Sequence, residues 1–175
     1  CQLARDVQQV ADFAIRQLSP HPGERFVIQY IEPLAGNQAS VGLDIASEDN
    51  RREAALAAMR SGEARLTRPI TLVQAAGKPL QSFLILLPIY RDAQTPASPQ
   101  ERELQLFGWS YAPLLTEEVL QGLELDSERL HLRLHDITDS GRHEAFYESR
   151  SASEAAPEIM RHSLQRDIYG RRWQI

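Results

Sequence analysis

The sequence predicts an α+β domain built around an antiparallel sheet. The chain has 175 residues, of which 42% are apolar, so it can bury a hydrophobic core without disulfides or metals. Short segments rich in β-branched and aromatic residues follow one another with turn residues between them, and helical segments occur among them without repeated βαβ units. No internal repeat and no low-complexity segment interrupts this pattern. A single domain is therefore the simplest organisation.

Composition and charge exclude several classes of protein. The 24 Asp and Glu residues outnumber the 19 Lys and Arg residues, and the net charge of −5 argues against a nucleic-acid partner. One cysteine cannot form an internal disulfide or a multi-thiolate metal site. The longest apolar run, at 83–87, is the length of a strand and much shorter than a membrane helix. We expect no cofactor.

An amphipathic helix is predicted over residues 3–18. Its apolar residues recur at helical spacing, at Val7, Val10, Ala11, Ala14, Ile15 and Leu18. The chain starts at Cys1 without an initiator Met, directly in this pattern. We expect an excised piece of a longer protein whose targeting signals lie in the missing flanks, and the alternative is a processed chain, such as a mature lipoprotein that begins at Cys.

Two strands and a helix are predicted next. Residues 25–31 and 40–45 are rich in β-branched, aromatic and aliphatic side chains, and the first of these strands follows a Pro-Gly turn. The helix is expected over 47–60, with the hydroxyl of Ser47 as its N-cap, carboxylates in its first turn and Gly62 at its C-terminal end. Its many alanines would let it lie close against a sheet.

The rest of the chain predicts mostly sheet. Alternating patterns predict strands at 65–73, 82–90, 104–111, 130–137, 144–148 and 164–175. Residues 91–100 contain two prolines and should form an exposed loop, and a short helix should begin at Thr116 and end at Gly122. Phe83, Ile85 and Leu87 share one face of their strand and should pack under helices.

The sequence offers little for metal binding or catalysis. His131 and His135 lie in a segment of alternating leucines, so they belong to a strand. Four residues of strand span about 13 Å, which is too far for two imidazoles to share one ion. No phosphate-binding loop, dinucleotide-binding glycine pattern, G-x-S-x-G or H-E-x-x-H motif occurs. A hydrolase with a scattered triad is kept as an alternative, because triads are defined in space.

Asp44 is the polar residue that the pattern sets apart. It lies in an apolar strand and shares a face with Gly42, while the opposite face carries Val41, Leu43 and Ile45. One interpretation is a buried carboxylate satisfied by backbone amides or an arginine. The other is an acceptor for N–H or O–H groups of a ligand at the floor of an apolar pocket. Both need a partner for the carboxylate, because an unpaired buried charge is costly.

An ordered series of short motifs resembles the CHASE domain family. The motifs, in chain order, are Tyr30-Ile31-Glu32-Pro33-Leu34, Gly36-Asn37, Gly42-Leu43-Asp44, Arg51 to Ala54, Gly62, Leu66-Thr67-Arg68-Pro69-Ile70, Leu72-Val73-Gln74, Leu87-Pro88-Ile89-Tyr90, Gly108, Asp136-Ile137-Thr138-Asp139 and Tyr169-Gly170-Arg171-Arg172-Trp173. The resemblance covers residues 25–175, most of the chain, in the order of the family.

This resemblance implies a fold and a role. The fold would be PAS-like, an antiparallel sheet with flanking helices in residues 19–175, after the remnant of a long stalk helix in residues 1–18. The role would be that of a non-enzymatic, extracytoplasmic sensor, periplasmic in an inner-membrane protein. Flanking membrane helices, absent from this chain, would connect it to a histidine kinase or a nucleotide cyclase such as a diguanylate cyclase. The full receptor would be a homodimer.

The resemblance also implies ligand-binding residues. Plant relatives bind cytokinins, which are N6-substituted adenines; Asp44 looks like their purine-binding aspartate, and Leu66 looks like a leucine that lines their cavity. Further candidates, inferred from neighbouring strand positions, are Thr67, Leu72, Leu86, Gly108 and Tyr111. The expected partner is a small molecule with an N–H group, such as a purine- or cytokinin-like compound, and no metal site is expected. A structural or dimerising periplasmic module, whose pocket is filled by its own side chains, is the alternative function.

Overall fold

A computed structural model describes residues 13–71, 81–120, 130–139, 145–149 and 160–175. The strands are β1 (Arg16–Gln17), β2 (Leu43–Asp44), β3 (Arg65–Leu66), β4 (Ile70–Thr71), β5 (Gln81–Tyr90), β6 (Leu106–Leu115), β7 (Arg133–Asp136), β8 (Ala145–Glu148), β9 (Gln165–Ile168) and β10 (Arg171–Gln174). The helices are α1 (Asp49–Ser61), α2 (Pro99–Gln105) and α3 (Thr116–Leu120). Across the described residues, no helix is both long enough and apolar enough to span a membrane.

The strands form two larger antiparallel sheets. In the first, the central sheet, β5 pairs along one edge with β3 and β4 and along the other with β6. The second, the C-terminal sheet, has the order β8-β7-β10-β9. A short parallel pair joins β1 to β2. Helices and antiparallel sheets in one chain confirm the α+β prediction.

Strand β5 separates two hydrophobic cores. Its even-numbered residues Leu84 and Leu86 face α1, in a cluster that we call the helix-facing core: Ile28, Leu43, Ile45, Ala54, Ala55, Ala58, Ile70, Leu84 and Leu86. Its odd-numbered residue Phe83 lies in the second core, with Leu66, Leu134 and Phe146. The expectation that the Phe83 face packs under helices is therefore wrong in the main, because most of that face packs against the C-terminal sheet. Leu87, farther along the same face, is 50% exposed.

The ends of α1 follow from local chemistry. The N-cap is Glu48, whose carboxylate accepts hydrogen bonds from the backbone amides of Asn50 and Arg51, each at 3.1 Å. The prediction of Ser47 as N-cap is wrong by one residue. Gly62 ends the helix with a φ of +74°, as predicted, in the left-handed region that favours glycine.

The structure also corrects two predictions of whole elements, the helix at 3–18 and the loop at 91–100. Residues 13–18 are not helical: they contain β1, and the rest of the predicted stalk helix, 3–12, lies outside the described residues. Residues 91–100 are not all loop, because Pro99 begins α2. A capping box explains that helix: the Ser98 hydroxyl accepts from the Glu101 amide, and the Glu101 carboxylate accepts from the Ser98 amide. The strand predicted at 104–111 correspondingly starts at Leu106.

Candidate functional site

The structure distributes the predicted ligand-binding residues over several places. Thr67, Leu86 and Tyr111 lie around the helix-facing core. Leu66 lies in the second core, on the other face of the sheet. Gly108 pairs with the partly exposed Ile89 and has open space where a side chain would be, so it lines neither core. Leu72 lies outside the described residues.

Asp44 lies apart from these residues, in a polar network with the N-terminal segment. Its side chain is fully buried. Oδ1 accepts from the backbone amides of Phe26 at 2.9 Å and Ala46 at 3.0 Å. Oδ2 accepts from His21 Nε2 at 2.8 Å and Gln17 Nε2 at 3.3 Å. Backbone and side-chain donors thus satisfy both oxygens, and the partners include amides, as the first interpretation of this carboxylate expects.

These hydrogen bonds keep Asp44 ionised. Burial by itself would raise the pKa of Asp44, but the hydrogen bonds from His21, Phe26, Gln17 and Ala46 stabilise the charged form more, so the pKa lies below its ordinary value of 3.8. The carboxylate is therefore a fixed negative charge at neutral pH.

His21 connects Asp44 to helix α1. Its Nδ1 lies 3.3 Å from Nη1 of Arg52, and the Arg52 guanidinium lies 5.9 Å from the centre of the Phe26 ring. Both contacts of His21 fit one tautomer, in which Nε2–H donates to Asp44 and Nδ1 accepts from Arg52. A triad would need a nucleophile at Nδ1. Because Nδ1 faces an arginine, this His–Asp pair gives no support to the hydrolase alternative.

The same network fastens the N-terminal segment, which we define as residues 14–21, to the domain. The Arg16 amide donates to Gly42 O at 2.9 Å, and the Leu18 amide donates to Ser47 Oγ at 2.8 Å. The Ser19 hydroxyl also donates to the carbonyl oxygen of Ser47. Gly42 has a φ of +84°, and a Cβ there would collide with the carbonyl oxygen of Ala14. Glycine is therefore required at position 42, just before β2, where Ala14 of the segment comes close.

The helix-facing core holds the other predicted residues. Leu86 is fully buried and lies opposite Tyr111 in the β5–β6 pairing. Thr67 is 1% exposed, and its Oγ1 accepts from the amide of Leu84 at 3.0 Å. The family resemblance suggested these three residues as ligand-binding positions, and that role stays a prediction.

Arg51 is the residue in this region that sequence reasoning missed. It lies in the first turn of α1, is only 3% exposed, and has its Nε 3.6 Å from a carboxylate oxygen of Glu48. Burial lowers the pKa of Arg51, although the nearby Glu48 and Tyr111 act in the opposite direction. One signal could have found it: Arg51 precedes the buried Ala54, Ala55 and Ala58 at helical spacing and therefore shares their face of α1.

A surface groove of about 560 Å³ lies at the N-terminal end of α1. Its lining is mostly polar: Leu18, Ser19, Ser47, Glu48, Asp49, Asn50, Glu53 and Arg68. Arg68 lies 3.4 Å from Glu53 and 3.1 Å from Asp139, so its charge is already balanced. None of the predicted ligand-binding residues lines this groove. Among the described residues, moreover, no group of three or more His, Cys, Asp or Glu side chains is placed to hold a metal ion.

Comparison with known proteins identifies the family. The CHASE domain family matches residues 2–147 of the chain. A comparison with curated proteins finds no match. CHASE domains are extracellular sensor domains of receptors and are not catalytic. This chain belongs to the CHASE domain family, and its role is sensory.

Proposed function

We propose that this CHASE domain is the ligand-binding, periplasmic sensor of a membrane receptor of the histidine kinase or diguanylate cyclase type. A small molecule binds between the central sheet and α1, as in a PAS-like domain, and the domain relays its occupancy across the membrane. The receptor is a homodimer, and its output domain lies on the cytoplasmic side.

The observation that carries this proposal is the attachment of the N-terminal segment to β2. Leu43 and Ile45, the neighbours of Asp44, pack in the helix-facing core, while Asp44 itself holds Gln17 and His21. A ligand that binds in the helix-facing core and displaces β2 therefore also displaces the N-terminal segment, which is bonded to Asp44 of the same strand. Such a ligand must prefer one of two conformations, because equal affinity for both changes no population.

A second candidate function has an observation in its favour. A structural or dimerising module needs no ligand, and the carboxylate of Asp44 accepts hydrogen bonds from four donors of the protein itself. The role of Asp44 as a ligand acceptor stays a prediction. A ligand N–H would have to replace one of these donors, and Gln17 makes the longest of the four contacts, at 3.3 Å.

A thermal-shift screen of purines and small metabolites tests the proposal. A ligand at one hundred times its dissociation constant should stabilise the domain by about 2.7 kcal/mol. Hydrogen exchange with the bound hit should then change at the amides of Arg16 and Leu18, which bond to Gly42 and Ser47.

Each negative outcome would contradict a different part of the proposal. If no compound stabilises the domain, the structural module is the better explanation. If hits bind without changing exchange at these amides, the relay through the N-terminal segment is wrong. Hits that bind an Asp44→Ala variant equally well would show that Asp44 is not the ligand acceptor.

A further inference from the structure

We infer that two copies of this domain pair through the free edge of β6 and so extend the central sheet across a dimer. This inference rests on the homodimer that the proposed function includes, and it names the surface and the register by which the two copies meet. It needs no ligand, so it can be tested apart from the ligand-binding proposal.

The main-chain groups of β5 point alternately to its two neighbours. In an antiparallel strand the N–H and C=O of one residue point to the same side, and the side alternates along the chain. Leu84 contacts Thr67 on the β3 side, where its carbonyl oxygen accepts from the Thr67 amide at 2.9 Å and its amide donates to Thr67 Oγ1 at 3.0 Å. Even-numbered residues of β5 therefore point to β3 and β4, and odd-numbered residues point to β6.

The β5–β6 register then shows which main-chain groups of β6 point outward. The residues opposite the odd-numbered positions of β5, which point to β5 themselves, are Gly108, Ser110, Ala112 and Leu114. Trp109 and Tyr111 alternate with them, so their N–H and C=O groups point away from the sheet. Among the described residues, no hydrogen bond joins the main chain of either residue to a group beyond β5.

The side chains of β6 also leave this edge open to another strand. Edge strands of natural proteins are commonly protected by charged side chains or by a covering segment. Strand β6 runs for 10 residues without a charged side chain, and its small residues Ser110 and Ala112 are exposed. The opposite edge of the sheet is covered, because the amide of Leu66 in β3 donates to the carbonyl oxygen of Tyr169 at 3.0 Å. The free edge of β6 is therefore a template for strand pairing.

A second copy satisfies this edge in one register, with Ser110 on the two-fold axis. Trp109 then pairs with Tyr111 of the partner subunit, and the reciprocal pair forms by symmetry, so every outward N–H and C=O of these residues is bonded. An axis at Tyr111 would set Trp109 opposite Pro113, which has no N–H. An axis at Trp109 would set Tyr111 opposite Phe107, where the β5–β6 register shifts at a bulge.

The lack of charge on β6 favours a second copy as the occupant of this edge. A two-fold axis sets each side chain near it opposite its own copy, and like charges directly opposite each other destabilise a strand pair. The whole chain carries a net charge of −5, yet none of its charged residues lies in β6. The edge is thus compatible with itself, where a charged strand would repel its copy.

The first experiment measures amide exchange of the wild-type chain by NMR at low and high concentration. In dilute protein the amides of Trp109 and Tyr111 should exchange rapidly, while those of Ser110 and Ala112, which point to β5, should be protected. At about 1 mM, a concentration that tethering to one membrane can reach, exchange at Trp109 and Tyr111 should slow about five-fold or more. Equal protection at both concentrations would mean that the chain covers its own edge, and the inference is overturned.

The second experiment uses two single-cysteine variants in a Cys1→Ser background. Ser110→Cys places the thiols of the two copies directly opposite each other, at about 4.5 Å between Cα atoms, which suits a disulfide. Ala112→Cys is the matched control, because its two copies are about 13 Å apart along the strands. Mild oxidation should give a disulfide-linked dimer for Ser110→Cys and little for Ala112→Cys. Equal yields would show that the copies do not meet in this register.

The third experiment exchanges charges across the two-fold axis. Ser110→Lys and Ser110→Glu should each raise the dissociation constant of the dimer about five-fold or more in sedimentation velocity, because each sets like charges opposite each other. An equimolar mixture of the two variants should restore association, which a merely misfolded variant could not do. Both variants should keep the unfolding midpoint of the monomer, since Ser110 is exposed. If the mixture associates no better than either variant alone, position 110 does not lie on the axis.

The outcomes separate this inference from the function on which it rests. A wild-type chain that stays monomeric at about 1 mM overturns the pairing of β6, while a ligand found in the thermal-shift screen would still support the sensor. A dimer with the expected cross-link but no ligand in that screen supports the pairing of β6, and the dimerising module then replaces the sensor as the better function.

Discussion

Asp44 holds a buried negative charge that donors from four positions of the chain satisfy together. Gln17 and His21 come from the N-terminal segment, while Phe26 and Ala46 contribute backbone amides. The carboxylate thus connects the N-terminal segment to β2, although the two are distant along the chain. Its loss should therefore affect both stability and the position of the N-terminal segment.

Asp44→Asn should destabilise the domain by about 2–4 kcal/mol at pH 7, because an amide nitrogen would face donors and leave a buried hydrogen bond unmade. The gap between variant and wild type should shrink as the pH falls below about 4. The pKa of Asp44 is lowered in the folded state, so its stabilisation is present above the unfolded value and is lost as the pH falls through the folded value. Urea unfolding between pH 7 and pH 2 measures this difference.

Asp167→Asn is the control for that series. Asp167 pairs with Arg172 and, like Asp44, has a lowered pKa, but its side chain is 71% exposed, so its removal should leave the free energy of unfolding nearly unchanged. Equal losses in the two variants, or a gap for Asp44→Asn that does not change with pH, would contradict a buried, fully bonded carboxylate at position 44.

Sequence could predict the burial of Asp44 but not most of its partners. Alternation in an apolar strand sets the face on which the side chain lies, and burial of a carboxylate demands donors. The identity of these donors depends on tertiary contacts, because Phe26, His21 and Gln17 are 18, 23 and 27 residues away along the chain. For the same reason the family resemblance could place Asp44 beside a ligand, while the structure places it beside the N-terminal segment.

Two elements, α2 and the N-terminal segment, show where the local sequence is enough to predict the structure and where it is not. Ser98, Pro99 and Glu101 form a complete N-terminal helix signal, so α2 could have been predicted from the sequence. The N-terminal segment is the opposite case. Its apolar residues have helical spacing, but Phe13, Ile15 and Leu18 are all nearly half exposed in the structure. The pairing of β1 with β2 overrides the helical pattern there. This pairing cannot be predicted from the local sequence, because the two strands are distant along the chain.

Gly42→Ala should release the N-terminal segment from β2. The residue has a φ of +84°, and the added Cβ would collide with the carbonyl oxygen of Ala14. We expect a loss of about 2 kcal/mol or more in the free energy of unfolding, together with faster hydrogen exchange at Arg16 and Leu18. Gly36→Ala is the matched control, because Gly36 has a φ of +82° but no atom within 4 Å of the added Cβ.

The control should show only the strain of a left-handed alanine, about 1 kcal/mol, with unchanged exchange at the two amides. If the two variants behave alike in both measurements, the close approach of the N-terminal segment to β2 does not contribute to stability. The relay proposed for the sensor would then lose its structural basis.

At the scale of the whole molecule, β5 joins two cores into one unit. Leu86 on one face packs in the helix-facing core, and Phe83 on the other packs in the second core. The β9–β10 hairpin closes the second core from residues beyond 147, where the match to the CHASE domain family ends. Ion pairs strengthen this closure, since Arg171 lies 2.7 Å from Asp136 and 3.2 Å from Asp139.

Trp173→Ala should therefore destabilise the whole domain, although the residue lies outside the family match. The Trp173 ring lies 5.1 Å from Phe83 in the central sheet and 4.8 Å from Phe146 in the C-terminal sheet, measured between ring centres, so it packs between the two sheets. Truncating an aromatic side chain in such a core should cost about 3–5 kcal/mol in a single cooperative urea transition. Phe107→Ala, at a position that is 71% exposed, should cost less than about 1 kcal/mol. A small loss for Trp173→Ala, or a separate early transition, would mean that the hairpin is an appendage to the sensor and that the cooperative unit ends with the family match.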